Sequence, residues 1–102
     1  MVIVQERFIQ IDGHRLWTRR VGESIRPDRL PIVLLHGGPG VPCDDFEPLE
    51  LLADDGRELF RYDQLGCGRS DHRDDPSFIR VEHFVAELSQ VVTAFGLKRF
   101  HL

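Results

Sequence analysis

Short apolar runs that alternate with helical patterns are the feature that most restricts the fold of this chain. Residues 31–35 form a continuous apolar run, which is typical of a strand covered on both faces, as in parallel sheets. A second such run spans 58–62, and a further strand is predicted to begin at 99–102. Because helical patterns separate these runs, we predict parallel strands joined by right-handed crossovers, and therefore an α/β fold.

Two helices are predicted between these strands. The first is capped by Asp44 or Asp45 and ends at Gly56, and its apolar face consists of Phe46, Leu49, Leu52 and Ala53. The second follows the start signal Asp75-Pro76-Ser77 and ends at Gly96. Its apolar stripe, which we interpret as core facing the sheet, consists of Val81, Phe84, Val85, Leu88, Val91, Val92 and Phe95.

The N-terminal part of the chain is predicted to be an antiparallel hairpin. Residues 2–11 and 14–21 are both rich in strand-forming side chains. The Asp12-Gly13 pair between them suits a two-residue turn in which both residues have positive φ. The element order is therefore β-β-β-α-β-α-β, with a mixed sheet.

Composition excludes several classes of function. Thirteen Lys and Arg against 17 Asp and Glu give a net charge of −4 without a basic stripe, so we expect no nucleic-acid partner. The longest clean apolar run, at 32–35, is far below the ~18–20 residues of a membrane span, so we expect no membrane partner. The N-terminus lacks the pattern of a secretory signal, which indicates a cytoplasmic protein with Cys43 and Cys67 as free thiols.

Two short loops hold five of the nine glycines of the chain. One contains Gly37, Gly38 and Gly40, and the other contains Gly66 and Gly68. Each follows a predicted buried strand, and the carboxyl ends of such strands are where α/β sheets bind ligands. Either loop alone is also compatible with simple turn chemistry. Neither is a dinucleotide fingerprint, since Asp71 stands where a third glycine is needed, and no zinc or phosphate motif occurs, so we expect no cofactor and no metal.

The residues of both loops resemble those of a known family. His36-Gly37-Gly38-Pro39-Gly40 is similar to the signature of proline iminopeptidases, the α/β-hydrolase serine peptidases that release N-terminal proline. The segment 63–70, with the sequence Asp-Gln-Leu-Gly-Cys-Gly-Arg-Ser, resembles the Asp-Gln-x-Gly-x-Gly-x-Ser stretch of the same family. The resemblance implies the N-terminal portion of an α/β-hydrolase fold, in which an antiparallel β-hairpin precedes a parallel β-α-β-α-β unit. Residues 1–102 are then the incomplete N-terminal part of one core domain that ends before the nucleophile elbow.

The resemblance also implies roles for the residues of the first loop. In α/β-hydrolases a backbone N–H in this loop forms part of the oxyanion hole for the tetrahedral intermediate. Gly38 is the best candidate for that amide, with Gly37 as the alternative. His36 shapes the loop and is not the catalytic histidine, while Pro39 and Gly40 fix the turn.

The second loop is expected to act structurally, beside the active site. Asp63 and Gln64 hold it by local hydrogen bonds, and Arg69 and Ser70 do similar work. Gly66 and Gly68 complete the motif.

The catalytic triad is expected to lie outside this sequence. It follows the chain order Ser, Asp, His, with the serine on a Gly-x-Ser-x-Gly turn. The serines here lack that setting: Ser24, Ser70, Ser77 and Ser89. We therefore expect a fragment of a larger enzyme that takes a peptide or small amide, and we expect the chain alone to be inactive and poorly soluble or partly folded.

Several alternatives remain open from the sequence. The parent could be an amidase or esterase of the same fold, or the chain could be a non-catalytic half-domain that binds a ligand. His83 and Glu87, four residues apart, are interpreted as a surface pair rather than metal ligands. Cys43 and Cys67 are either inert buried thiols or groups whose modification disturbs the oxyanion loop. Proline preference and the oligomeric state are left undetermined.

Overall fold

The predicted N-terminal hairpin is present in the structure, a computed structural model that describes residues 3–37 and 43–102. Strands β1 (Val4–Ile11) and β2 (His14–Val21) pair antiparallel along their whole length. Asp12 and Gly13 connect them with φ values of 50° and 80°. Both values lie in the left-handed region that this two-residue turn requires, which is why the Asp-Gly pair predicted it.

The remaining strands complete a mixed sheet. Strands β3 (Ile32–Leu34) and β4 (Leu59–Tyr62) are parallel to each other, and β4 is antiparallel to β2, which gives the order β1-β2-β4-β3. The predicted C-terminal strand begins at His101, which forms a parallel bridge with Ile32. There the His101 N–H donates to Pro31 at 2.9 Å and its carbonyl accepts from Val33 at 2.8 Å. The predicted mixed α/β architecture is confirmed.

The first helix differs from the prediction. The structure has a 3₁₀ helix at Cys43–Asp55 instead of an α-helix. Pro48 lies inside it, and in an α-helix its ring would collide with the carbonyl four residues earlier. The predicted apolar face is wrong in part, because Ala53 is buried whereas Leu49 and Leu52 are 42% and 47% exposed. With three residues per turn, positions 49 and 52 share one side of a 3₁₀ helix and position 53 lies on another.

The long helix α1 (Val81–Ala94) forms where the apolar stripe predicted it. It follows a 3₁₀ turn at Pro76–Phe78, in which the Asp75 side chain accepts the backbone N–H of Ser77. Gly96, with φ of 74°, follows the end of the helix.

The stripe of α1 faces the core only in part. Val91 is fully buried, and the members that pack beside it are Phe84, Leu88 and Phe95. Val81 and Val85 are instead 76% and 62% exposed, so their assignment to the core was wrong. Both border an open hollow next to the first loop rather than the sheet.

The core consists of two apolar clusters on the sheet. The larger one is built from Ile9, Leu16, Tyr62, Leu65, Phe78 and Val91. The smaller one is built from Val21, Ala53 and Leu59. Because β3 and β4 are parallel and are held by these clusters, both glycine-rich loops leave the sheet at the same edge.

Candidate active site

The two glycine-rich loops meet at the carboxyl ends of β3 and β4. His36 and Gly37 follow β3, and Asp63 and Gln64 follow β4. The backbone N–H of Gln64 donates to Nε2 of His36 at 2.9 Å, and Nε2 of Gln64 donates to the His36 carbonyl at 3.3 Å. The remaining predicted residues of the first loop, Gly38, Pro39 and Gly40, lie outside the described residues.

Asp63 joins the two loops through a single carboxylate. Its side chain is fully buried, and Oδ1 accepts the backbone N–H of Cys43 at 2.9 Å. Oδ2 accepts the backbone N–H of Arg69 at 3.0 Å. Hydrogen bonds to an ionised carboxylate are stronger than those between neutral groups, so this residue fixes the second loop and the point where the first loop ends.

Ser70 closes the second loop against the sheet. It is 3% exposed, and its Oγ accepts the backbone N–H of Trp17 at 2.8 Å and donates to the Asp63 carbonyl at 2.5 Å. The hydroxyl is therefore used in structural hydrogen bonds. This arrangement is consistent with a residue that holds the loop and not with an exposed nucleophile.

The Asp63 carboxylate leaves no room for a side chain at Gly68. The φ of Gly68 is 52°, and an added Cβ would collide with the side chain of Asp63. Gly66 also has a positive φ, of 86°, and its N–H donates to the Asp71 carbonyl at 2.8 Å. Both glycines of the second motif therefore occupy positions that other residues adopt only with strain.

A cluster of ion pairs that the sequence did not reveal attaches the 3₁₀ helix, which follows the first loop, to β2 and β4. Arg61, 5% exposed, donates to the Cys43 carbonyl and to Oδ1 of Asp44, both at 3.1 Å, and to Glu50 at 2.8 Å. Burial alone would raise the pKa of Glu50, but hydrogen bonds from Arg19 and Arg61 bring it below its usual value. The two arginines lie on β2 and β4 and their acidic partner Glu50 lies on the 3₁₀ helix, so no local spacing in the sequence could have indicated these pairs.

The two thiols are buried beside the loops. Cys43 is 0% and Cys67 3% exposed. Burial, together with the nearby Asp63 carboxylate, raises the pKa of Cys43 to about 12. Since the thiolate is the reactive form, Cys43 is protonated and unreactive near neutral pH, which favours the interpretation as an inert buried thiol.

The structure confirms that His83 and Glu87 form a pair, but the surface location predicted for it is wrong for Glu87. Nε2 of His83 lies 3.2 Å from Oε2 of Glu87, but Glu87 is only 3% exposed and points at the second loop. The same Oε2 accepts the backbone N–H of Leu65 at 3.4 Å. Burial raises the pKa of Glu87 to about 7.

Within residues 3–37 and 43–102, no group of three or more His, Cys, Asp or Glu side chains could hold a metal ion.

An open hollow of about 300 Å³ lies next to the first loop. One side is formed by His36, Gly37 and Gln64. The apolar side is formed by Leu35 and by four residues of α1: Val81, Phe84, Val85 and Leu88.

Across the described part of the chain, no helix combines the length and apolarity needed to cross a membrane.

Comparison with known proteins agrees with this geometry. A family model described as alpha/beta hydrolase fold matches residues 31–102. The proline iminopeptidase of Clostridioides difficile is 35% identical over 97% of this chain and 33% of its own length. The proline iminopeptidase of Lactobacillus helveticus is 45% identical over 88% of this chain and 31% of its own length.

A solved structure gives the same result. The crystal structure of proline iminopeptidase from Mycobacterium smegmatis superposes with a TM-score of 0.89 at 38% identity, covering 95% of this chain and 34% of that one. The chain thus spans about a third of the length of the relatives it matches. The predicted fold class and the resemblance to proline iminopeptidases are both confirmed.

Proposed function

The chain belongs to the alpha/beta hydrolase fold family, and we propose that it supplies the oxyanion-hole loop of a serine peptidase that releases N-terminal proline from peptides. Residues 1–102 are the N-terminal part of a single hydrolase core domain in this proposal. The enzyme attacks the carbonyl of the N-terminal residue and passes through an acyl-enzyme, without a cofactor. Relatives named proline iminopeptidase, which match nearly the whole chain, support this substrate class.

One observation carries the proposal. The segment at His36 and Gly37 leaves β3 at the sheet edge where α/β proteins bind ligands, and Gln64 of the neighbouring loop binds it there at 2.9 Å. A backbone segment held rigidly at that edge can present N–H donors to a developing negative charge without rearranging during the reaction.

The proposed roles follow the two motifs. The amide of Gly38, or that of Gly37, donates to the oxyanion, and removal of one such donor typically costs about 10²–10³ in rate. Pro39 and Gly40 fix the turn, and the second loop holds the first. The triad serine, aspartate and histidine come from polypeptide outside these 102 residues. The structural hydrogen bonds of the Ser70 hydroxyl support a nucleophile located elsewhere.

The test uses the full-length protein that contains this chain. Proline p-nitroanilide is compared with the alanine and leucine p-nitroanilides and with p-nitrophenyl esters, and a fluorophosphonate probe reports an activated serine. We expect labelling of one serine and a kcat/KM for the proline substrate at least about tenfold above the others. The chain of 102 residues alone serves as the control and should show neither labelling by the probe nor hydrolysis of a substrate.

Each other outcome contradicts a defined part of the proposal. Turnover of esters or other amides without release of proline would indicate an esterase or amidase of the same fold. A full-length protein that neither reacts with the probe nor hydrolyses any substrate would favour a binding module.

A further inference from the structure

Glu87 has one carboxyl oxygen that the described residues leave without a hydrogen-bond partner. The residue is 3% exposed, and its Oε2 accepts the backbone N–H of Leu65 at 3.4 Å and lies 3.2 Å from Nε2 of His83. Its Oε1 is also buried, but no described residue forms a hydrogen bond with it. Buried polar atoms in folded proteins are nearly always hydrogen-bonded, to protein or to ordered water, so this oxygen requires a partner.

A small hollow between the hairpin and α1 has room for such a partner. Glu87 and His83 border it from α1, and Asp12 and His14 border it from the hairpin turn and the start of β2. The volume of this space, the hairpin hollow, is about 40 Å³. A water molecule needs about 10–15 Å³, whereas pockets for organic ligands have about 300–1,000 Å³. The size of the hairpin hollow therefore favours water over any larger ligand.

The walls of the hairpin hollow combine polar groups that can bind a water molecule with apolar groups that bury it. An internal water typically makes about three hydrogen bonds, and three polar side chains border the hollow beside Glu87. Leu16 and Leu65 also border it, and they are 1% and 2% exposed. Both leucines belong to the larger core cluster, so a molecule bound in this hollow lies against the core.

The titration of Glu87 favours the same ligand. Burial raises the pKa of its carboxyl to about 7, so the acid and the carboxylate are both populated near neutral pH. The acid has a hydroxyl that donates, whereas the carboxylate only accepts. Because water both donates and accepts, it can bind Oε1 in either form of the carboxyl. A cation would suit the carboxylate alone.

The Tyr62 hydroxyl is the competing partner for Oε1. It is also buried without a hydrogen-bond partner among the described residues. Burial, together with the neighbouring Glu87 carboxyl, raises the pKa of Tyr62, so the two side chains lie within electrostatic range of each other. A direct hydrogen bond between them would require one side chain to move, since both atoms are unpaired in this structure.

We propose that the hairpin hollow is an internal water site and that Oε1 of Glu87 holds the water. This inference follows from the fold and is independent of the hydrolase activity proposed above. One carboxyl then has two kinds of partner, because Oε2 binds the amide of Leu65 in the second loop and Oε1 binds the water. The water thus allows a buried acid to remain beside the loop with both of its oxygens hydrogen-bonded.

Two substitutions of similar size test the site in the full-length protein. In Glu87→Gln the side-chain amide keeps a polar group that can bind water, whereas in Glu87→Met an unbranched apolar chain replaces it. Glu82→Met, at an exposed position of the same helix, is the control for the introduction of methionine. The measurement is the nuclear Overhauser cross-peak between water and the methyl groups of Leu16 and Leu65, in protein with labelled leucine methyls.

We expect cross-peaks with water at both leucines in the unmodified protein, in Glu87→Gln and in Glu82→Met, and their loss in Glu87→Met. The result for Glu87→Gln is important because a carboxyl proton exchanges with solvent and resonates with water, whereas the amide protons of glutamine have their own resonances. Cross-peaks that are missing in the unmodified protein or in Glu87→Gln, or that persist in Glu87→Met, would overturn the proposal.

A crystal structure of the unmodified full-length protein covers the case in which a variant does not fold. We expect a water oxygen at about 2.5–3.0 Å from Oε1 of Glu87. A protein atom in that place, whether the Tyr62 hydroxyl or a group from the remaining polypeptide, would refute the water site. Neither measurement uses a substrate, so a failure of the proposed hydrolysis leaves this test unaffected.

Discussion

The loop at 63–70 is braced by hydrogen bonds among its own residues, whereas the described ends of the loop at 36–43 are held by that neighbour. Within the second loop, the Cys67 N–H donates to Gln64 at 3.0 Å and the Ser70 N–H donates to Cys67 at 3.1 Å. The ends of the first loop are bound at His36 and Cys43 by residues of the second. The described ends of a loop proposed to carry chemistry are thus attached to a neighbour that has hydrogen bonds of its own, as sites with supported functional groups require.

The most severe way to break this relation is Asp63→Ala. The substitution removes the acceptor for two backbone amides, the buried one of Cys43 and the partly buried one of Arg69, and each hydrogen bond to a charged group contributes about 1.5–3 kcal/mol. We expect a loss of about 3–5 kcal/mol in the free energy of unfolding, measured by urea denaturation of the full-length protein.

Asp71→Ala is the matched control for that substitution. Asp71 also accepts a backbone N–H, that of Arg15 at 2.8 Å, but its side chain is 31% exposed. Its loss should lower the free energy of unfolding clearly less than the loss of Asp63, since water replaces the lost partner. Equal costs for the two variants would show that Asp63 does not connect the loops in the way described.

The free energy of unfolding should depend on pH through Glu87, the residue of α1 that contacts the second loop. Its pKa is about 7 in the folded protein against an ordinary value of 4.5. Below pH 4.5 both states are protonated and stability is full. As pH rises to about 7 the unfolded state releases its proton first, so the free energy of unfolding falls, by an amount on the order of 3 kcal/mol.

The variant Glu87→Gln sharpens this prediction because it removes the titration and keeps the size of the side chain. In this variant the free energy of unfolding, measured by urea denaturation between pH 4.5 and 8, should fall much less as pH rises. Glu82→Gln, on an exposed position of the same helix, should retain it. A decline that persists in Glu87→Gln would contradict the buried carboxyl as its source.

The smallest expected effect concerns the second loop's own backbone. Gly68→Ala and Gly13→Ala both place a Cβ at positive φ, but only the former brings it against the Asp63 carboxylate. The shared backbone strain cancels in the difference, which should be about 1–2 kcal/mol from overpacking alone. Identical melting shifts for the two variants would mean that Asp63 can move aside without cost.

The parts of the fold that the sequence predicted well depend on local chemistry. The Asp12-Gly13 turn requires positive φ at two consecutive residues, and few residue pairs tolerate this. The apolar runs at 31–35 and 58–62 are long enough for buried strands and too short for helices. The helical patterns between them predicted parallel pairing, which β3 and β4 show.

The parts that it predicted poorly depend on which neighbours a side chain meets. Helical spacing placed His83 and Glu87 side by side, but it could not show that Glu87 reaches Leu65, 22 residues earlier. Likewise, Asp63 and Cys43 are 20 residues apart, and nothing in their local sequences marks them as partners. The motif loops could be found from the sequence, but their mutual attachment required coordinates.

The shared carboxylate of Asp63 has a consequence for protein engineering. Since the carboxylate of Asp63 binds both segments, a chimera that replaces residues 63–70 by a segment without an acidic residue at position 63 would leave the backbone N–H of Cys43 without its acceptor. The two segments are therefore best transferred together, although 19 residues separate them along the chain. Directed evolution of either segment should therefore randomise both together.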